Sequence, residues 1–365
     1  MRVRSTPFQF NALRTSARIA TAVITLAFLA ACATDKPGPT ELGARVSADR
    51  GGTPTAVEGL ASPAWQQTAR DLVAGAVYSP LQAGHAYPLV GVAQYQAVQQ
   101  AEAAIQGGGR VRLESDRGAV AGASAVVLSY LFPTKVQMLE DLVTAQANAG
   151  PGQPHPAFSA GEAIGRAVGA AMVARARTDG FSVVANPPPP VGLGFWTTNA
   201  VGTPVAGGQF AGVSRWFLTS ANQFRPAAPP AFGSPTFNAA LAEIKQISDT
   251  RTAEQSRIAG YWALNPGTPT AYGFWLDYAS HRIVEHGLSE RDATHVFALL
   301  SSTMEDATVG CWDAKLTYWL IRPWKADAGI VVDPSVGKPN HPSYPSGHSC
   351  VSSSGAAVIA SFFPE

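Results

Sequence analysis

The sequence predicts a mainly helical bundle, and three observations carry that prediction. Apolar residues recur at three- and four-residue spacing through most of the chain, as with Trp65, Leu72, Val73 and Ala76 on one stripe. Helix-start chemistry heads several of these stripes. Thr252 with Gln255 makes a capping box, and Ser289 stands as an N-cap before an acidic first turn of Glu290 and Asp292. Few segments alternate apolar and polar residues as a half-buried strand does. The 365 residues suffice for a sizeable core.

In chain order, a first helix opens near Ala61. Further helices are expected over 89–104, 119–131, 136–147 and 159–177. Gly161, Gly165 and Gly169 stand four apart in the last of these, and that small-residue stripe predicts close helix packing. Residues 185–236 lose the period. The proline run Pro187 to Pro190, followed by Trp196, Phe210, Trp216 and Phe217, reads as a long ordered excursion lining the mouth of a site. Helical spacing returns over 237–247, 252–262, 273–286, 289–303 and 304–320.

The N-terminus reads as a targeting segment. Arg2, Arg4, Arg14 and Arg18 precede an apolar run over 19–31, too short to span a bilayer. It ends in Leu29-Ala30-Ala31-Cys32, which resembles a bacterial lipobox, where the cysteine is lipidated. The expected organisation is a lipoprotein signal peptide over 1–32, a flexible tether over 33–62 and a helical domain over 63–365. The resemblance implies an exported, lipid-anchored chain. Ala33 after the cysteine points to the outer membrane, its periplasmic face or the cell surface. Cys311 and Cys350 would then lie in an oxidising compartment, as a disulfide or as two buried thiols. Charged residues are only 14% and the formal net charge is +1, so no electrostatic case exists for nucleic acid.

Chemistry concentrates in two segments. Lys315 and Arg322 are seven apart, and on one continuous helix they would differ by roughly 20° in azimuth and point the same way. Arginine offers a planar fork to two oxygens and lysine a compact charge. Downstream stands Pro345-Ser346-Gly347-His348. If a helix follows, Ser346 and Gly347 lie at its N-terminus, where unpaired N–H groups favour an anion, and His348 is placed to move protons. Trp324 borders the same pocket. Neither a phosphate-binding glycine loop nor a G-x-S-x-G elbow is present in the sequence.

The pattern K-x6-RP followed by PSGH resembles the first two of three motifs shared by vanadium-dependent haloperoxidases and type 2 phosphatidic acid phosphatases. Trp312-Asp313-Ala314-Lys315, the segment His341 to Pro345, Ser220 to Pro226 and Arg251 to Ile258 resemble the bacterial haloperoxidase-like branch. The resemblance implies the helical bundle of that superfamily. It implies that Lys315, Arg322, Ser346 and Gly347 hold a vanadate or phosphate, with His348 as acid/base. A haloperoxidase would use vanadate, hydrogen peroxide and halide. A phosphatase would act on a phosphate ester through a phosphohistidine, with no cofactor. His341, seven residues before His348, occupies a position associated with halide preference, and histidine there points to bromide.

The third motif of that family, S-R-x5-H, supplies a further arginine and the axial vanadium-ligand histidine. It is absent before Glu365: Ser214-Arg215 has Ala221 at the histidine position, and Ser256-Arg257 has Ala263. The expectation is therefore a chain whose last helices are missing, impaired in activity, with an inactive or structural lipoprotein fragment as the third reading. His281, His286 and His295 lack zinc-pair spacing and read as core or surface histidines, while His85 and His155 read as isolated surface residues. Oligomeric state is not encoded in any feature of the sequence.

Overall fold

Five of the described helices begin at a serine or threonine whose hydroxyl accepts one of their first amides. The computed structural model describes residues 59–149 and 155–364; residues 1–58, with the Cys32 lipobox and most of the tether, lie outside them. The described residues fall in one compact unit spanning Ala56–Glu365. Among them the regular elements are α-helices and short 3-10 turns, with two isolated bridges in place of a sheet.

The helices are α1 (Ser62–Gly75), α2 (Pro80–Ala104), α3 (Arg110–Leu131), α4 (Val136–Ala147), α5 (Pro156–Ala176), α6 (Pro235–Thr250), α7 (Ala253–Ala263), α8 (Thr270–Glu285), α9 (Glu290–Tyr318), α10 (Pro323–Ala326) and α11 (Gly347–Phe362). Thr252 and Gln255 exchange both bonds of the capping box, at 3.2 and 2.9 Å. The Ser289 hydroxyl accepts from the Asp292 amide. Glu290, buried at the head of α9, accepts from the Ala61 and Ser62 amides and so caps α1 from 228 residues away. No described helix is long and apolar enough to cross a membrane.

Two expectations are corrected here. Helix α2 begins nine residues before the expected start, at Pro80, with Ser79 and Gln82 forming its own capping box and Pro88 inside it. Burial of 83–91 outweighs the missing amide of Pro88. The expected 289–303 and 304–320 helices are one 29-residue helix, α9, the central rod against which α2, α8 and α11 pack.

Helices α3 and α5 meet backbone to backbone, as the glycine stripe predicts. A Cβ on Gly161 would stand 1.9 Å from the Ser115 carbonyl oxygen, and one on Gly165 would stand 2.1 Å from that of Ala119. No side chain can yield there, so the helices themselves must part. Gly161→Ala is expected to destabilise the fold by about 1–3 kcal/mol or more, measured by urea unfolding. Gly75→Ala, where nothing lies within 4 Å, is expected to change stability little or raise it slightly.

Candidate functional site

The first motif does not lie on one helix. Helix α9 ends at Tyr318, and Trp319 takes left-handed backbone at φ 49°, reversing the chain. Leu320 then bridges Phe195, the Trp196 amide donates to the Trp319 carbonyl at 2.6 Å, and the Ile321 amide donates to Gly194 at 2.9 Å. Arg322 is the extended N-cap of α10, and Pro323 opens that helix. The expected shared stripe of Lys315 and Arg322 is thus overturned. The 194–196 segment captures the chain before a further turn can form, and Pro323 suits a first helical position.

The two cations converge by another route, on the turn 341–346. Lys315, 1% exposed, donates from Nζ to the carbonyls of Pro342 (2.9 Å), Ser343 (3.4 Å) and Pro345. Arg322 donates from Nε to the His341 carbonyl at 2.7 Å and from Nη2 to His341 Nδ1 at 2.9 Å. Its guanidinium lies 5.2 Å from the ring centre of Trp324, whose buried Nε1 has no hydrogen-bond partner. No carboxylate among the described residues pairs with either cation. Burial pushes the Lys315 ammonium down to about 8, with the nearby Arg322 adding to the drop and Cys311 opposing it. Burial lowers Arg322 to about 10. His341 is driven down to about 2, first by burial and then by Lys315 and Arg322, so its ring is neutral. Its Nδ1 also lies 3.1 Å from the Pro342 carbonyl.

The second motif sits at a helix start, as its residues predict. Ser346 is the N-cap of α11, its hydroxyl oxygen accepting from the Ser349 amide at 3.3 Å, and Gly347 is the first helical residue. The Gly347 amide points out of the helix with no intrahelical acceptor. His348 is exposed, and its Nε2 lies 3.1 Å from the Ala263 carbonyl, at the C-terminus of α7. That acceptor holds the proton on Nε2 and leaves Nδ1 as the basic nitrogen. Lys315, Arg322, His341, Trp324, Ser346, Gly347 and His348 therefore surround one turn.

Cys311 and Cys350 are free thiols on the two helices that meet at the α9–α11 contact, packed in one apolar cluster. Interaction with Cys350 and then burial raise Cys311, while interaction with Cys311 lowers Cys350 to about 7.

Several supports carry no sequence signal of their own. His85 is not a surface residue: its ring is buried between Glu305 (2.8 Å) and Asp179 (3.4 Å) and stacks on Phe181 with centroids 4.0 Å apart. Glu305 also accepts from Trp216 Nε1, and Asp306 accepts the amides of Trp216, Phe217 and Leu218. His155 is likewise buried. These contacts fasten the excursion 177–234 to α9. Trp312 Nε1 donates to the Ala206 carbonyl, and the Ala206 amide donates to Asn340, so the excursion does border the site turn. Arg225 pairs with Asp313 at 2.6 and 2.8 Å. The only hint in the sequence was the aromatic density around these positions. Among the described residues no cluster of His, Cys, Asp and Glu could hold a metal ion.

Neither a family model nor a curated protein matches the sequence. Solved structures do. The first bacterial vanadium-dependent iodoperoxidase superposes with a TM-score of 0.68 over 85% of this chain and 82% of that one, at 19% identity. A bacterial vanadium-dependent chloroperoxidase matches in its apo form (TM-score 0.58, 16% identity, 79% of each chain) and in its holo form (0.55, 17%, 86% of this chain and 79% of that one). The chain has the vanadium haloperoxidase fold. Within that fold, Lys315 and the Ser346-Gly347-His348 step belong to adjoining helices, α9 and α11.

The buried Lys315 makes a pH prediction. Its folded pKa lies below the 10.5 of an exposed lysine, so between about pH 8 and 10.5 the unfolded chain holds a proton that the folded chain has released. Stability therefore rises with pH across that window. Wild type is expected to gain on the order of 3 kcal/mol relative to Lys315→Met between pH 7.5 and 10.5, read by urea unfolding of both proteins.

Proposed function

We propose that the chain is a haloperoxidase-like enzyme that oxidises halide with hydrogen peroxide at a vanadate held by Lys315, Arg322, Ser346 and Gly347. One observation carries the reading: a buried lysine and a half-buried arginine share a turn with a helix N-terminus and have no carboxylate between them among the described residues. Two like charges in a poorly solvated place repel, and a multiply charged oxyanion relieves both. The donors present fit the oxygens of such a group in charge and in type, with no histidine of an S-R-x5-H motif among them. Lys315 must turn an N–H away from its ring of carbonyls to reach it.

Bound there, vanadate would supply a Lewis-acidic centre for peroxide activation. Arg322 offers its fork, with Nη1 making no hydrogen bond among the described residues. His341 stays neutral and positions that guanidinium. Ser346 and Gly347 add the hydroxyl proton and the open amide of α11. His348, with Nδ1 basic, takes and returns protons at the rim. The halide preference read at His341, for bromide, belongs to this proposal.

Phosphate has the same tetrahedral shape, so a phosphatase acting through a phosphohistidine is the second reading. An oxyanion-binding protein without turnover is the third. Orthovanadate and phosphate are each expected to raise the melting temperature saturably, and Arg322→Ala to weaken both by at least tenfold. His348→Ala is expected to keep anion binding while lowering bromide oxidation by about 10²–10⁴-fold. Hydrolysis of a phosphate ester without bromide oxidation selects the phosphatase. Binding without either turnover selects the third reading, and absence of any saturable stabilisation overturns all three.

We also infer, from residues 1–32, an exported chain lipidated at Cys32. Incorporation of labelled palmitate, lost in Cys32→Ala, is the expected result.

A further inference from the structure

Beside the oxyanion turn lies chemistry that the proposed reaction does not use. Cys311 and Cys350 sit on neighbouring helices within one apolar cluster that includes Phe210, Val213 and Trp312. The helices that carry them pack directly on each other, and each thiol acts on the titration of the other. Both line a groove of about 590 Å³ that opens between Phe217, Phe224 and Tyr344. They differ in access. Cys311 is buried and also faces the Pro345 carbonyl at 3.8 Å, whereas Cys350 is half-buried.

We propose that this is a peroxide-reactive thiol pair, in which Cys350 meets the oxidant and Cys311 resolves it into a disulfide joining α9 to α11. The oxidant is hydrogen peroxide or another small peroxide. The Cys350 thiolate attacks one peroxide oxygen and the O–O bond breaks, giving a sulfenic acid and hydroxide, which takes up the proton the thiol released. The Cys311 sulfur then attacks the Cys350 sulfur, and the sulfenic hydroxyl leaves as water with the Cys311 proton. Two thiols and one peroxide become one disulfide and two waters. The thiol of Cys350 is pushed down to about 7, which favours the thiolate that meets the oxidant.

The disulfide would remove the Cys311 donor from the Pro345 carbonyl and leave that oxygen to Lys315. The thiol chemistry stands whether or not the adjoining turn takes an oxyanion.

The test treats the reduced full-length protein with hydrogen peroxide, then alkylates and maps peptides by mass. The expected product is an intramolecular peptide pair linking Cys311 to Cys350, two hydrogens lighter than the reduced pair. In Cys311→Ser, Cys350 should be trapped as a sulfenic acid by dimedone. In Cys350→Ser, Cys311 should lose its thiol at least about tenfold more slowly than Cys350 does in wild type. Full alkylation of both wild-type thiols after peroxide, separate sulfinic acids without a cross-link, or cross-links only between chains would each overturn the proposal.

Discussion

The organising constraint is the gathering of two positive charges, one buried and one half-buried, around a single turn without a negative partner among the described residues. Lysine and arginine are rarely buried unless paired. Here Lys315 spends its donors on the carbonyls of Pro342, Ser343 and Pro345, and Arg322 spends two on His341. Carbonyl dipoles solvate a cation but do not neutralise it. The turn is therefore a place of stored positive potential, and its neutral histidine follows from the same field. The surrounding architecture keeps that arrangement: α9 brings the lysine, α10 the arginine and α11 the open amides.

Much of this was legible because it rests on local chemistry. Thr252, Gln255 and Ser289 announce helix starts through hydrogen bonds that need no distant partner. Gly161 and Gly165 announce a close approach because only a missing Cβ permits it. Ser346 and Gly347 announce a helix N-terminus by the same logic. What failed was anything decided by a segment far away in sequence. The heptad spacing of Lys315 and Arg322 was sound helix geometry, but Phe195 and Trp196 end the helix at Tyr318. His85 looked isolated because Asp179 and Glu305, its partners, lie 94 and 220 residues along the chain. Spacing reports neighbours on one element and is silent about those on another.

The solved structures that share the fold do so at 16–19% identity, which fixes the path of the backbone and leaves the chemistry to the residues. In this chain the chemistry is concentrated on the α9–α11 seam. One side of that seam gathers the cations and His348. The other gathers two thiols against an apolar groove. The Pro345 carbonyl, which accepts from both Lys315 and Cys311, is the atom common to the two.

The reversal at Trp319 has a wider consequence. A bulky residue tolerates left-handed backbone only when its surroundings impose it, and Trp319 is buried against Trp196 with centroids 5.7 Å apart. The 194–196 strip thus acts as a ruler laid between lysine and arginine, setting how far apart their heads stand. Evolution can retune the span of the anion cradle by trimming or lengthening an excursion remote in sequence, with both charged residues left untouched.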